Sequence, residues 1–377
     1  MGACDAHRPS VLLFTSSPLG GATGADKQLA IAIANGVPDV DFTWFSRWPG
    51  RGRGELTQGR RIPILSSDGV PRTPERLQVC AAGAALARRS DLVHAVLTIG
   101  SGFPLFSRWR RRLLGDRPVL HTVPGVMDPR HLEHARPLGP TIALSETTAG
   151  LLRAAGFGEV RVIPPGIPLD QWPRRPRRPD ATATGEMPDA VAVPNVLFAG
   201  HHDPGGGAAE AIAAAAAAVR AGTRCRLLLA MRPRPGQDER ALQAALRELA
   251  RKAGLPDVEV IGHVDDMPTL LESVDALLFP PRALSGKADV PLTVLEALAV
   301  GRPAIVSDLP EFAALGNAVL RAPVGDCERT GLLLAELLGR PRRWEELAGR
   351  GRALVEERFG AIRLAERYAR LYRGLLP

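Results

Sequence analysis

Residues 275–308 read DALLFPPRALSGKADVPLTVLEALAVGRPAIVSD, and their order of strand, loop, helix and strand decides the fold. The apolar run Ala276–Phe279 has the length of a strand and is stopped by Pro280 and Pro281, which have no N–H to give a ladder. Pro291 stands where the first helical turn begins and Gly301 just past where the helix ends. A second apolar strand, Ala304 to Val306, follows at once. The unit is therefore βαβ. Its loop lies at the carboxyl end of a parallel strand, and a helix N-terminus faces whatever binds there, which makes a ready anion site. Glu296 falls four residues after Leu292 and one after Leu295, on the face that packs inward. A carboxylate there needs donors: either the hydroxyls of a ribose or a neighbouring arginine.

Outward from this stretch the chain repeats the same alternation. Val11–Thr15 reads as a strand, followed by the glycine-rich turn SSPLGGATGADKQ and the helical LAIAIA. Gly20, Gly21 and Gly24 do not form G-x-G-x-x-G, so the turn is no dinucleotide fingerprint. Strands at Asp41–Phe45, Ile62–Leu65 and within DLVHAVL, with a helix from Pro74 to Arg89, predict a doubly wound parallel sheet. In TIALSETTAGLLRAAGFGEVRVIPPGIPLDQW, residues 141–172, Ser145 is a good N-cap and Gly156 ends the helix. PRRPRRPDATATGEMPDA, residues 173–190, has no periodicity and reads as a linker. A second series opens with NVLFAG and HHDPGGGAAEAIAAAAAAVR, continues through RLLLAM, a helix from Glu239 to Lys252 and VEVIGH, and closes with three helical patterns from Asp326 onward.

A length of 377 residues suits two domains of roughly 150–200 residues. The boundaries read as 1–172 and 191–359, with 173–190 between them. At 45% hydrophobic and 23% charged the composition is that of a soluble globular protein, and no apolar run approaches the roughly 20 residues of a membrane span. The start shows no secretory h-region, and Cys4, Cys80, Cys225 and Cys327 lack pairing or metal spacing, so a cytoplasmic location and no metal site are expected. The net charge of +8 rests on arginine. With two Tyr, ten Phe and no basic helix of DNA-reading type, no nucleic-acid partner is expected. An anionic substrate or a membrane surface remains. RWRRRLL, Arg108–Leu114, is read either as a peripheral membrane contact or as a solvated helix face.

PLTVLEALAVGRPAIVSD closely resembles the nucleotide-sugar signature of the family 4 (group 1) retaining glycosyltransferases. The resemblance implies an α/β protein of GT-B fold, two Rossmann-like doubly wound domains facing a cleft. A last helix at about 360–377 would pack back on the first domain. In that family the helix carries the second Glu of an E-x7-E pair, which holds the donor ribose, and Glu296 matches it. The first Glu is Ala288 here, and its charged neighbours Lys287 and Asp289 become the catalytic candidates, Lys287 taking over the phosphate. Arg282, Pro291 and Leu292 would line the donor site. Relatives write G-R-x-x-x-x-K-G after the first strand of the donor domain. This chain has Gly200, His201, Gly206 and Gly207 there, with His for Arg and Gly for Lys. The backbone near Gly262 and His263 would meet the base.

In the first domain, the family's Gly-Gly-x-Glu becomes Thr23, Gly24 and Asp26, so Gly21, Gly24 and Asp26 are the acceptor or phosphate loop candidates. The segment PVLHTVPGVMD has Pro124 where relatives place a His beside the reacting sugar; His121 lies on the opposite strand face from Thr122, which leaves Thr122 as the candidate. His94, in DLVHA, reads as a core histidine. The implied activity is retaining transfer of a sugar from a nucleotide-diphosphate donor, UDP by default, to a small-molecule, glycan or lipid acceptor, with no metal or other cofactor. A GT-B protein that only binds a nucleotide sugar, or one that processes it otherwise, is the alternative.

Overall fold

Val11, Leu12, Leu13 and Phe14 are each no more than 4% exposed, so successive side chains are covered whichever way they point. Such a run belongs to a parallel strand with helices on both faces. The computed structural model describes residues 8–15, 19, 25–48, 56, 59–65, 73–175, 193–234, 236–284 and 290–376. Among the described residues the first unit is built from residues up to Pro168, Val290 and Pro291, and residues from Phe359 onward, the second from Leu169–Leu284 and Leu292–Arg358.

In the first unit the elements run β1 (Ser10–Thr15), α1 (Ala25–Asn35), β2 (Asp41–Trp48), β3 (Arg60–Leu65), α2 (Thr73–Ala87), β4 (Leu92–Val96), α3 (Phe103–Arg108), α4 (Arg110–Leu114), β5 (Val119–Val123), β6 (Thr141–Ala143), α5 (Glu146–Ala154) and β7 (Val160–Val162). The seven strands pair in the order β3-β2-β1-β4-β5-β6-β7, and every pairing is parallel. Ser145 caps α5 as expected, accepting from the Thr148 N–H at 3.1 Å.

The second unit runs β8 (Asn195–His201), α6 (Ala208–Arg220), β9 (Arg226–Arg232), α7 (Glu239–Ala253), β10 (Val258–Ile261), α8 (Met267–Glu272), β11 (Ala276–Phe279), α9 (Leu292–Val300), β12 (Ala304–Ser307), β13 (Leu320–Ala322), α10 (Cys327–Gly339) and α11 (Pro341–Arg358). Its six strands pair in the order β10-β9-β8-β11-β12-β13. Again all are parallel. The order reverses between β8 and β11, and in open α/β sheets the crevice past the strand ends at such a point is where ligands bind.

The first unit gives way to the second at Pro168, four residues short of the expected boundary at Trp172. The reason lies in three bonds that hold the intervening segment to the second unit. Arg352 donates to the Trp172 carbonyl at 2.7 Å, the Arg175 N–H donates to Val300 at 3.0 Å, and buried Arg302 donates to the Arg175 carbonyl at 2.9 Å. Of the expected linker, 176–190 lies outside the described residues.

The last helix, α12 (Ala361–Leu375), belongs to the first unit. Its buried face of Leu364, Ala365, Tyr368 and Tyr372 has helical spacing and joins the apolar cluster of Val11, Leu13, Ile33 and Phe42. A bridge between Ile167 and Gly360 pins its start. Gly36 is required here: a Cβ on it would stand 2.3 Å from the Ala365 Cβ.

Candidate active site

The carboxyl ends of β8 and β11 carry the two loops that matter. After His201 the chain turns through Asp203-Pro-Gly-Gly-Gly into α6, with Gly205 and Gly207 at φ of +68° and +105°. Gly207 is the N-cap of α6, and among the described residues no side chain caps that end. The amides of the first helical turn are thus left for an outside acceptor, at the positive end of a helix 13 residues long. The loop is braced on the end of β11: the Arg282 N–H donates to the Gly205 carbonyl at 2.8 Å. A Cβ on Gly207 would come within 3.0 Å of the Pro280 carbonyl carbon and the Pro281 nitrogen. The chain approaches so closely that only glycine fits.

Glu296 lies in the second turn of α9, half-buried among Leu295, Ala297 and Leu298. Desolvation pushes its carboxyl up to about 7. Among the described residues it has no hydrogen-bond or ion-pair partner, so the arginine partner weighed from the sequence is not found there.

Arg282 does not stand as an unclaimed cation. Its Nε pairs with Glu210, in the first turn of α6, whose side chain is 9% exposed. That hydrogen bond holds the guanidinium above its ordinary pKa. The same side chain runs beside Gly325, where a Cβ would meet Nη1 at 3.6 Å. Its charge is spent on an acid that the sequence reading did not weigh.

A different cation stands at the strand ends. Arg232 closes β9 in register with His201, and its Nε is buried without a hydrogen-bond partner among the described residues. Burial, then the nearby Arg234, lowers its pKa. Arg234 is occupied, reaching both Asp203 oxygens at 2.8 Å. The signal for Arg232 was present in RLLLAMR, where an arginine ends an apolar strand at its carboxyl end.

The remaining donor-side residues distribute as follows. His201 is half-buried at the end of β8, and Gly206 is buried with its N–H on the Asp203 carbonyl at 2.9 Å. Gly200 is not demanded by sterics, since a Cβ there meets nothing closer than 3.6 Å. Gly262 and His263 follow β10, with His263 Nε2 3.2 Å from Asp265 at an exposed pair. Pro291 and Leu292 lead into α9. Lys287 and Asp289 lie outside the described residues, as do Gly21 and Gly24. Asp26 is in the first turn of α1.

Thr122 needs correcting as a candidate. It is wholly buried in β5, with Oγ1 2.8 Å from His94 Nε2 and 2.9 Å from the Tyr368 hydroxyl. Tyr372 completes the set at 2.7 Å from His94 Nδ1. This is an internal polar network that ties β4 and β5 to α12, and its hydroxyl is not offered to a ligand. His94 is, as read, a satisfied core histidine; burial, with His121 adding, lowers it to about 3. His121 points the other way, onto the Phe103 ring at 5.1 Å.

Residues 193–339 match the family model described as Glycosyl transferases group 1. No curated protein matches the chain by sequence. Among solved structures, Anabaena HepE in complex with UDP and glucose aligns with a TM-score of 0.73 at 16% identity, over 97% of this chain and 100% of that one. Sucrose-phosphate synthase from Thermosynechococcus elongatus gives 0.72 at 21%, over 98% and 99%. The E. coli trehalose-6-phosphate protein bound with UDP-2-fluoro glucose gives 0.67 at 12%, over 97% and 98%. The fold is the two-domain, Rossmann-like GT-B fold that the resemblance implied.

Proposed function

A chain that carries a group 1 glycosyltransferase domain within a GT-B fold is a glycosyltransferase, and we propose that this one moves a sugar from a nucleotide-diphosphate donor to an acceptor hydroxyl with retention, without a metal. The observation that carries the proposal is Glu296: a half-buried carboxylate held near pH 7 in its titration, with no partner among the described residues. A ribose supplies the two hydroxyl donors that such a group lacks. The glycine loop and the open N-terminus of α6 take the diphosphate, whose charge grows as the sugar leaves. Arg232, half-buried and in register with His201 on the neighbouring strand, supplies the cation that relatives of this family draw from the positions of His201 and Gly206. UDP is the expected donor nucleotide, in keeping with the UDP and UDP-glucose bound in HepE. The acceptor is a small molecule, a glycan or a lipid, and its chemistry is set by loops of the first unit.

Thermal denaturation in the presence of UDP, GDP, ADP, CDP or dTDP tests the reading. At a hundredfold excess over Kd one of them should stabilise the protein by about 3 kcal/mol. Glu296→Ala and Arg232→Ala should each reduce that shift. If none of the five stabilises the protein, the donor site is misplaced and a non-catalytic GT-B protein becomes the better account.

A further inference from the structure

The segment α3–Trp109–α4 exposes two large apolar side chains, and the loop after β5 a third, where a soluble surface would hide them. Leu105 is 64% exposed, Trp109 43% and Met127 55%. Leu105 and Trp109, four residues apart, share one side of α3: Trp109 closes the helix, its backbone N–H bonded to the Leu105 carbonyl at 3.3 Å. Met127 lies against Gly100, its Sδ 3.0 Å from where a Cβ would be, just before Phe103 opens α3. The inner face of the same segment is fixed, with Phe103, Ser107 and Leu114 buried. The outer face is therefore held out by a rigid base.

The charges around these side chains are predominantly positive, although Asp128 follows Met127. From 100 to 127 there are five arginines (108, 110, 111, 112 and 117) against Asp116, a balance of +4. None of the five forms an ion pair among the described residues. Those that do bond reach backbone carbonyls: Arg110 to Arg117 at 3.4 Å and Arg117 to Arg88 at 3.2 Å. Arg112 lies over the Trp109 ring at 4.4 Å. An exposed indole with a guanidinium on its face, flanked by leucine, methionine and unneutralised arginines, has the chemistry of a bilayer interface. The ring sits at headgroup depth, the arginines meet phosphates, and the aliphatic side chains enter the acyl boundary. No helix of the described residues is long and apolar enough to cross a membrane, so the contact is peripheral.

We propose that the surface formed by Leu105, Trp109, Met127 and the arginines 108, 111 and 112 docks the first unit onto a lipid bilayer rich in anionic headgroups. The proposal does not depend on the donor site, which lies in the second unit. Flotation of the full chain with phosphatidylcholine vesicles, with and without thirty mole per cent phosphatidylglycerol, tests it. Binding should require the anionic lipid and fall as salt is raised. Arg111→Glu with Arg112→Glu should reduce partitioning about tenfold or more, since each cation near the surface contributes comparably to lipid binding. Leu105→Ser with Trp109→Ser should weaken binding at all salt concentrations. Circular dichroism and an unchanged nucleotide-induced thermal shift show that these exposed changes leave the fold intact. Absence of vesicle binding overturns the proposal, as does binding that both pairs leave unchanged. Equal affinity for a DNA duplex, lost in the arginine pair but kept in the Leu105/Trp109 pair, would assign the surface to nucleic acid instead.

Discussion

Glu296 shows what it costs to bury a carboxyl group away from water without a partner among the described residues. Its carboxyl is raised to about 7 by desolvation, so between the unfolded carboxylate's pKa and that value the folded chain holds a proton the unfolded chain has lost. Stability from this group is therefore greatest below pH 4.5, falls as pH rises towards 7, and stays low above it. The difference reaches at most about 3 kcal/mol. Glu296→Gln should make the ligand-free protein more stable at pH 8, by up to that amount, while reducing the nucleotide-induced shift. Urea titrations at pH 8 and pH 5 check this, because the gain should shrink at the lower pH. Arg232 is the counterpart among cations: its Nε is buried with no partner among the described residues, whereas Glu210 already holds Arg282.

The turn between β8 and α6 shows how glycine acts at the scale of an element. Gly207 has φ of +105° and its Cβ position is filled by the backbone of Pro280 and Pro281, whereas Gly200 has ordinary space around it. Gly207→Ala should lower stability by about 1–3 kcal/mol and weaken nucleotide binding by forcing the two loops apart. Gly200→Ala should do neither, and thermal denaturation of the two variants with and without nucleotide separates the cases. The same contrast explains what was legible in the sequence. Strands such as Val11–Phe14 and Ala276–Phe279, the cap at Ser145 and the stop at Gly301 depend on neighbours a few residues away, and local rules placed them. The partners of Thr122 and Arg282 are 246 and 72 residues distant, and periodicity carries no information about such meetings. Arg232 fell between: its place at a strand end was readable, but its burial without a partner needed three dimensions.

At the scale of the molecule the buried titratable groups of the two units respond to acid in opposite senses. In the first, burial lowers His94 to about 3 and His121 to about 4. Both stay neutral where the unfolded chain is protonated, so their contribution to stability is lost as pH falls below 6.5. By pH 5 that loss is about 2 kcal/mol for each histidine. In the second unit, Glu296 recovers stability over the same interval. Asp128 and Glu248, held down to about 2 by Arg130 and Arg251 respectively, release their share only at still lower pH. Calorimetry at pH 7 and pH 5 should show one transition falling and the other rising, and Glu296→Gln should flatten only the second. The course of the chain has a further consequence. Tyr368 and Tyr372 of α12 lie in the core around Val11 and Leu13, although all of the second unit is encoded between them. A ribosome that has released β1 to β7 has released a sheet without its closing helix. The nascent first unit must wait with one apolar face uncovered while the second unit is made, so it is the later-encoded unit that is free to fold first.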